Sequence, residues 1–162
     1  LTDLEPVVTR AIVASGLATA EALGAKHDWY LRLVDLLRVR ARVVDDIVRQ
    51  AAPYFARDID YDADAVAKQW KDREASRNLL TATRDSLMAA SSWEAATLEA
   101  ELRGVAEKLG VGGGKLFQPL RVALTGLTVS PGIFDVLVMQ GRELALYRIE
   151  QAINYLSMAA DS

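Results

Sequence analysis

Cysteine is absent from this 162-residue chain, and histidine occurs only once, at His27. Disulfide bonds and thiolate metal sites are therefore excluded, and one histidine leaves little material for a metal centre. No apolar run is long enough to span a bilayer, and no charged-then-apolar signal segment opens the chain. Hydrophobic residues make up 51% of the sequence, enough to build a core in a chain of this length. We therefore expect a soluble cytoplasmic protein without a bound metal.

Recognisable catalytic patterns are also missing. The glycine-rich stretch Val111–Lys115 lacks the spacing of a phosphate-binding loop. His27 stands alone beside Asp28, and a lone histidine near a helix start is more often structural than catalytic. Aspartates alternate along 58–64, but the central glycine and terminal glutamate of a calcium loop are absent. The sequence thus predicts no catalytic residue, no metal ligand and no cofactor of its own.

Charge is distributed unevenly, although the net charge is only −3. Arginine and lysine are concentrated at 32–49 and 103–121, whereas acidic residues gather at 58–64 and 94–101. Most nucleic-acid-binding proteins have a basic surface, so the net charge argues mildly against RNA. Two local basic regions could still hold a phosphate backbone. They could equally be solvated helix faces, which are common.

Hydrophobic periodicity predicts helices and no strand, hence an all-α fold. We expect Asp28 to cap the third helix and Ser91 with Glu94 to form a capping box at the seventh. The aspartate-rich stretch 58–64 is the best boundary, which gives two helical subdomains at 1–57 and 58–162. The helices are expected at about 3–15, 19–23, 29–39, 43–52, 63–71, 77–90, 93–109 and 141–158, with two more between Gly114 and Gly141.

The segment Gly114–Gly141 is the centre of the second subdomain. Its first half carries an apolar stripe at helical spacing, formed by Leu116, Phe117, Leu120 and Leu124, with Gly126 as a stop signal. Its second half opens with Ser130 as an N-cap and Pro131 at the first helical position. We expect two short helices across a three-residue link, with Arg121 close to the start of the second.

These residues also resemble a known family. Pro-Leu-Arg-Val-Ala-Leu-Thr-Gly at 119–126, then Ser-Pro-Gly at 130–132 and Gly-Arg-Glu at 141–143, is similar to the C-terminal anticodon-binding region of bacterial glutamyl-tRNA synthetases. The order of motifs fits from about Trp29 to Ile153. Eight consecutive matching residues with a correctly spaced second motif make the resemblance specific.

The resemblance implies an all-α anticodon-binding bundle from a class I ligase that uses ATP and Mg²⁺ to attach glutamate to its tRNA. The His-Ile-Gly-His-like and Lys-Met-Ser-Lys-Ser-like segments of that class do not occur here. Residue 1 is leucine rather than methionine, so we expect this chain to be the tRNA-reading piece of a longer protein. Its expected partner is glutamate tRNA, with no membrane or DNA contact, and the chain should be a monomer.

The resemblance further implies the residues that touch tRNA. Arg121, Ser130, Pro131 and Ile133 match positions that contact the anticodon. Arg40 matches the arginine that distinguishes the third anticodon base, although the flanking match is weaker because the usual Thr-Leu is Val43-Val44 here. We expect the tRNA backbone to be contacted by Arg38, Arg42 and Lys115.

Several of these residues also have a purely structural interpretation. Arg121 could cover the apolar helix and reach solvent, and Ser130 with Pro131 could simply start a helix. Trp29, Trp70 and Trp93 could stack on bases, but tryptophans at such spacing are more often packing residues. The alternative function is a non-catalytic helical adaptor that binds protein rather than RNA.

Overall fold

A computed structural model describes residues 4–39 and 41–159 of the chain. None of these residues is in a strand, which confirms the all-α prediction. The chain forms two compact units, Leu1–Ile59 and Asp60–Ser162, called the first and second unit below. The helices are α1 (Leu4–Ser15), α2 (Ala20–Ala25), α3 (His27–Arg38), α4 (Val44–Ala51), a 3₁₀ turn (Ala52–Tyr54), α5 (Ala63–Gln69), α6 (Arg73–Met88), α7 (Ala95–Leu109), α8 (Gly113–Thr125), α9 (Ile133–Gln140) and α10 (Arg142–Ala159). The predicted division of an anticodon-binding region into helical subdomains at 1–57 and 58–162 stays a prediction.

The first unit has its core between α1, α3 and α4. Tyr30 of α3 is fully buried, and its hydroxyl lies 2.8 Å from Thr9 Oγ1 of α1. Burial raises the pKa of the Tyr30 phenol above its ordinary value. The remaining core residues are Val8, Ile12, Leu23, Leu33, Val34, Leu37, Ile47, Ala51 and Tyr54.

The predicted cap of α3 is wrong. Asp28 lies inside the first turn of α3, and Lys26 occupies the cap position without a side-chain hydrogen bond. The reason is that α2 continues to Ala25, past the predicted stop at Gly24, so only Lys26 separates the two helices. The Lys26 carbonyl accepts from the Tyr30 N–H at 2.8 Å, so this amide is not available to a side-chain cap at Asp28, two residues later. The end of α4 before Pro53 is as predicted.

The second unit is organised around α8 and α10, whose apolar faces are buried. The predicted stripe of α8 is confirmed, since Leu116, Leu120 and Leu124 are fully buried. Phe117 is half-buried and packs edge-to-face on Phe134 of α9, with ring centroids 5.5 Å apart. Other core residues come from α6, α7, α9 and α10, namely Leu80, Leu87, Leu98, Leu102, Val136, Leu137, Ala145, Ile149, Ala152, Ile153 and Leu156.

The starts of α6 and α7 differ from prediction. The capping box at Ser91 and Glu94 does not form, and α7 begins at Ala95. Ser92 Oγ instead donates to Thr97 Oγ1 at 2.7 Å, and the Trp93 indole turns toward α9, which keeps residue 93 out of the helix. Helix α6 begins four residues earlier than predicted because Asp72 caps it, accepting from the Ala75 N–H at 3.0 Å.

Candidate nucleic-acid interface

The connection between α8 and α9 is longer than predicted. Helix α8 ends at Thr125 with Gly126 in the left-handed conformation (φ +75°), and α9 begins at Ile133. Five residues, 127–131, therefore lie between the caps Gly126 and Gly132, rather than the predicted three, and we call residues 126–132 the 126–132 loop. Gly132 occupies the cap position of α9, so the prediction that Ser130 caps this helix with Pro131 at its first position is wrong.

Ser130 has a different partner, and this explains the missing cap. Arg121 Nε donates to Ser130 Oγ at 2.6 Å, and Ser130 Oγ donates to the Pro131 carbonyl at 2.8 Å. These two bonds engage the one donor and one of the two acceptor sites of the hydroxyl, which is held by Arg121 and the Pro131 carbonyl rather than by the first turn of α9. The structure thus brings Arg121, Ser130 and Pro131 together, as the sequence suggested, by a side-chain contact rather than through a helix start.

The predicted contact residues differ greatly in accessibility. Ser130 is 7% exposed, Ile133 is 3% exposed and Pro131 is also buried. Arg121 is half-buried. Val129, which sequence reasoning did not single out, is 51% exposed beside Ser130. The outer surface of the loop is therefore formed by Thr128, Val129 and Gly132 rather than by Ser130 and Pro131.

Four further hydrogen bonds fix the end of α8. Thr125 Oγ1 donates to the Arg121 carbonyl at 2.8 Å and accepts from the Leu127 N–H at 3.1 Å. The Leu124 carbonyl accepts from Gln140 Nε2 and Arg148 NH1, both at 2.8 Å. The Leu124 carbonyl is among the last four of α8 and has no donor within the helix, so the side chains of Gln140 and Arg148 replace its missing partner.

The segment before α5, residues 60–62, packs against the same end of α8. The Gly126 carbonyl accepts from the Asp62 N–H at 2.9 Å, and a Cβ at Gly126 would collide with the Asp60 carbonyl oxygen. Asp62 also caps α5 through the Ala65 N–H at 3.0 Å. The alternating aspartates thus include a helix cap, and glycine at 126 permits a close backbone approach.

The predicted backbone-contacting residues lie on both units. Arg38 and Arg42 are exposed on the first unit, where Arg38 Nε pairs with Asp35 Oδ1 at 2.7 Å. Lys115 is exposed in the first turn of α8, on the second unit. Arg40, the predicted reader of the third anticodon base, lies outside the described residues.

Asp46 holds the backbone of Arg42 and Val43, directly before α4. Its Oδ2 accepts from the N–H groups of Arg42 at 3.0 Å and Val43 at 3.3 Å. These bonds, that of Arg42 first, lower the pKa of Asp46 below its ordinary value of 3.8. The start of α4 is therefore held by a carboxylate rather than by its cap residue Val43.

We predict that this start loosens in acid. Because the folded-state pKa is lowered, the carboxylate contributes stability above pH 3.8 that is lost as the pH falls through the folded-state pKa. Amide hydrogen exchange at Arg42 and Val43, corrected for its intrinsic pH dependence, should show that loss. Asp46→Asn should remove most of it. Asp45→Asn, in the same turn, is the control, and an equal effect there would contradict the assignment.

The tryptophans lie in packing positions. Trp70 is 1% exposed, its Nε1 donates to the Pro119 carbonyl at 3.1 Å, and its ring meets Tyr61 edge-to-face at 4.8 Å. Trp93 Nε1 donates to the Leu137 carbonyl at 2.6 Å. Trp29 is half-buried and packs edge-to-face on Phe55 at 5.5 Å. These contacts favour the packing interpretation over base stacking.

Trp70→Phe should destabilise the second unit by about 1–2 kcal/mol, since it removes one buried hydrogen bond and part of the ring volume. Denaturant unfolding monitored by circular dichroism measures the change. Tyr147→Phe, a half-buried hydroxyl deletion on α10, gives a comparison for the loss of a single polar atom. An unchanged midpoint for Trp70→Phe would show that the bond to Pro119 contributes nothing.

Within residues 4–39 and 41–159, no three or more histidine, cysteine, aspartate or glutamate side chains are grouped as metal ligands. His27 is exposed at the first residue of α3. In the same part of the chain, no helix has the length and hydropathy needed to cross a membrane.

The family of this chain is established by comparison with known protein families. A family model described as an anticodon binding domain matches residues 6–153, from α1 through most of α10. This chain belongs to the anticodon-binding domain family. The resemblance found in the sequence is confirmed.

The relatives of this anticodon-binding domain are longer proteins. It is 41% identical over 145 residues to glutamate–tRNA ligase 2 of Rhizorhabdus wittichii, covering 88% of this chain and 30% of that protein. Against glutamate–tRNA ligase of Myxococcus xanthus it is 41% identical over 136 residues, covering 83% and 28%. The domain thus spans about 30% of the length of the curated relatives it matches.

A solved structure shares the fold of the domain. The crystal structure of a glutamate tRNA ligase from Elizabethkingia meningosepticum, in complex with its amino acid, superimposes with a TM-score of 0.71. The match covers 96% of this domain and 31% of that chain, at 24% sequence identity.

Proposed function

We propose that this domain is the tRNA-reading part of a glutamate–tRNA ligase, and that Arg121 and the 126–132 loop contact the anticodon of glutamate tRNA. The observation that carries the proposal is the 2.6 Å contact of Arg121 Nε with Ser130 Oγ, in a domain of the anticodon-binding family. In the parent enzyme, ATP and Mg²⁺ would supply the chemistry of glutamate attachment outside these residues. Such an enzyme works in the cytoplasm with the translation machinery.

The hydrogen bond to Ser130 suits Arg121 to base recognition. The guanidinium group is a planar set of five donors, and the Ser130 contact fixes the plane through its Nε. Sequence-specific RNA recognition mostly targets unstacked bases in loops, whose edges such a planar donor group can meet. A side chain already held in place also loses less conformational freedom when it binds.

Ser130, Pro131 and Ile133 have a supporting role in this proposal. All three are buried: Ser130 and Pro131 form the inner wall of the 126–132 loop, and Ile133 begins α9 directly after it. The exposed Val129 offers an apolar surface beside them on which a base can pack. The anticodon would then reach Ser130, Pro131 and Ile133 only at the edge of the loop, next to Arg121.

Exposed cations would hold the rest of the tRNA. Arg38, Arg42 and Lys115 are exposed and can each neutralise a backbone phosphate. Such contacts carry no base information but add affinity and make binding sensitive to salt. The net charge of −3 then matters less than the local placement of these side chains.

Arg40→Gln should relax selection at the third anticodon base. Glutamate anticodons carry cytosine there and glutamine anticodons carry guanine. Cytosine presents two acceptors on its pairing edge, which a guanidinium group can meet, whereas guanine presents mainly donors. An unpaired buried donor costs about 1–3 kcal/mol, so the wild type should prefer cytosine by roughly tenfold or more.

That preference is measured by binding of two anticodon stem-loops that differ only at the third base. Arg40→Gln should bring the two affinities within a few-fold of each other, whereas Arg38→Gln should weaken both equally. Equal binding of both stem-loops by the wild type would show that Arg40 is not the reader.

The proposed function itself is tested by a salt titration with glutamate tRNA. Filter binding at low salt should show a complex whose affinity falls steeply as the salt concentration rises, because phosphate contacts release counterions. If no complex forms even at low salt, RNA is not the partner. The domain would then be a protein-binding adaptor.

A further inference from the structure

We propose that Arg148, assisted by Gln140, is a positioning residue for the anticodon site: it holds the end of α8 so that Arg121 and the 126–132 loop keep their relative placement. The inference rests on the proposed function of Arg121. Arg148 is on α10 and is 1% exposed, and its NH1 donates to the Leu124 carbonyl at 2.8 Å. Arginine is almost never fully buried unless it is paired, so this placement requires a compensating contact.

The Leu124 carbonyl is a suitable target for a buried cation. It is among the last four carbonyls of α8, which lack donors within the helix. The C-terminal end of a helix carries a partial negative charge, which a cation stabilises. Arg148 therefore meets both the unsatisfied oxygen and the charge of the helix end.

Gln140 brings a second donor to the same oxygen. Its Nε2 lies 2.8 Å from the Leu124 carbonyl, while its Oε1 is buried without a partner among the described residues. Turning the amide over would place two acceptors against each other, so the carbonyl determines its orientation. A buried acceptor without a partner is costly. The fold thus tolerates that cost while keeping two donors on one carbonyl.

The held carbonyl is directly connected to the site. Thr125, the next residue, donates through Oγ1 to the Arg121 carbonyl and accepts from the Leu127 N–H. A shift of Leu124 would therefore move both the backbone of Arg121 and the start of the loop that carries Ser130. The 2.6 Å contact between Arg121 Nε and Ser130 Oγ depends on both.

Two measurements on the complete chain test this. The first is the NMR signal of the Arg121 Nε–H group without RNA, which reports the contact with Ser130. The second is the ratio of affinities for a stem-loop with the glutamate anticodon and one with all three anticodon bases replaced. Arg148→Met should move the signal toward that of a solvent-exposed arginine and reduce the ratio at least tenfold. Arg148→Lys should restore part of both, because it returns a cation and a donor.

Leu87→Ala, a core truncation on α6, is the control for a general loss of stability. This variant should leave the signal and the ratio unchanged. If it changes them as much as Arg148→Met does, the positioning role is overturned. If Arg148→Met does not fold, the double variant Arg148→Lys with Gln140→Leu decides, since it weakens one donor and removes the other, and an unmoved Arg121 signal there overturns the proposal.

Failure of the proposed function gives a different result. A wild-type ratio near one would reject anticodon reading, while the Arg121 signal in the variants would still decide whether Arg148 positions it. An unmoved signal in Arg148→Met, with a normal wild-type ratio, would reject only the positioning role.

Discussion

Gly126→Ala should destabilise the second unit by roughly 2–5 kcal/mol, the sum of two effects that act together at this position. Gly126 has φ +75°, and the left-handed conformation costs a residue with a side chain about 1–2 kcal/mol. The added Cβ would also collide with the Asp60 carbonyl oxygen, which belongs to the backbone and cannot rotate away. Overpacking that forces backbone shifts adds about 1–3 kcal/mol.

The matched control is Gly110→Ala. Gly110 ends α7 with φ +69°, and a Cβ there meets nothing within 4 Å. It should therefore cost only the conformational part, about 1–2 kcal/mol. Denaturant unfolding of both variants gives the difference, which isolates the contact with Asp60. Equal destabilisation would mean that the 60–62 segment moves aside without cost.

Arg121→Gln should weaken binding of the glutamate anticodon stem-loop by about 1–3 kcal/mol, or roughly 5- to 150-fold, while the fold is retained. Glutamine can still donate to Ser130, but it lacks the charge and the planar donor set that meet a base. Because the loss concerns base contacts, it should be largest for the cognate anticodon and small for a stem-loop with a replaced anticodon.

Arg77→Gln is the comparison for Arg121→Gln, since Arg77 is another half-buried arginine, on α6. It should change affinity little. The unfolding midpoint of each variant has to be measured as well. If Arg121→Gln lowers the midpoint enough to account for the lost binding, then Arg121 is only a packing residue that covers α8.

The sequence predicted the helices of the site well because their signals are local. The apolar stripe of α8 and the stop at Gly126 depend on residues a few positions apart, and both occur as expected. The anticodon-binding family was likewise recognisable from contiguous motifs at 119–126 and 130–132.

The loop could not be predicted in the same way. A serine followed by proline is a good helix start, but the Ser130 hydroxyl is taken by Arg121, nine residues earlier. Trp93 similarly lies outside the helix predicted for it, because its indole donates to the Leu137 carbonyl, 44 residues later. Arg148 gave no signal at all, since its acceptor lies on another helix. Each of these depends on a partner that only the folded chain brings close.

The most direct test of anticodon reading compares two RNAs with the unmodified chain at low salt. One is the anticodon stem-loop of glutamate tRNA, and the other is the same stem-loop with all three anticodon bases replaced. We predict that the first binds at least tenfold more tightly, because Arg121 and the 126–132 loop read base edges that the second lacks. Equal affinity for both RNAs would contradict the account, since contacts to the phosphate backbone alone would then explain all of the binding.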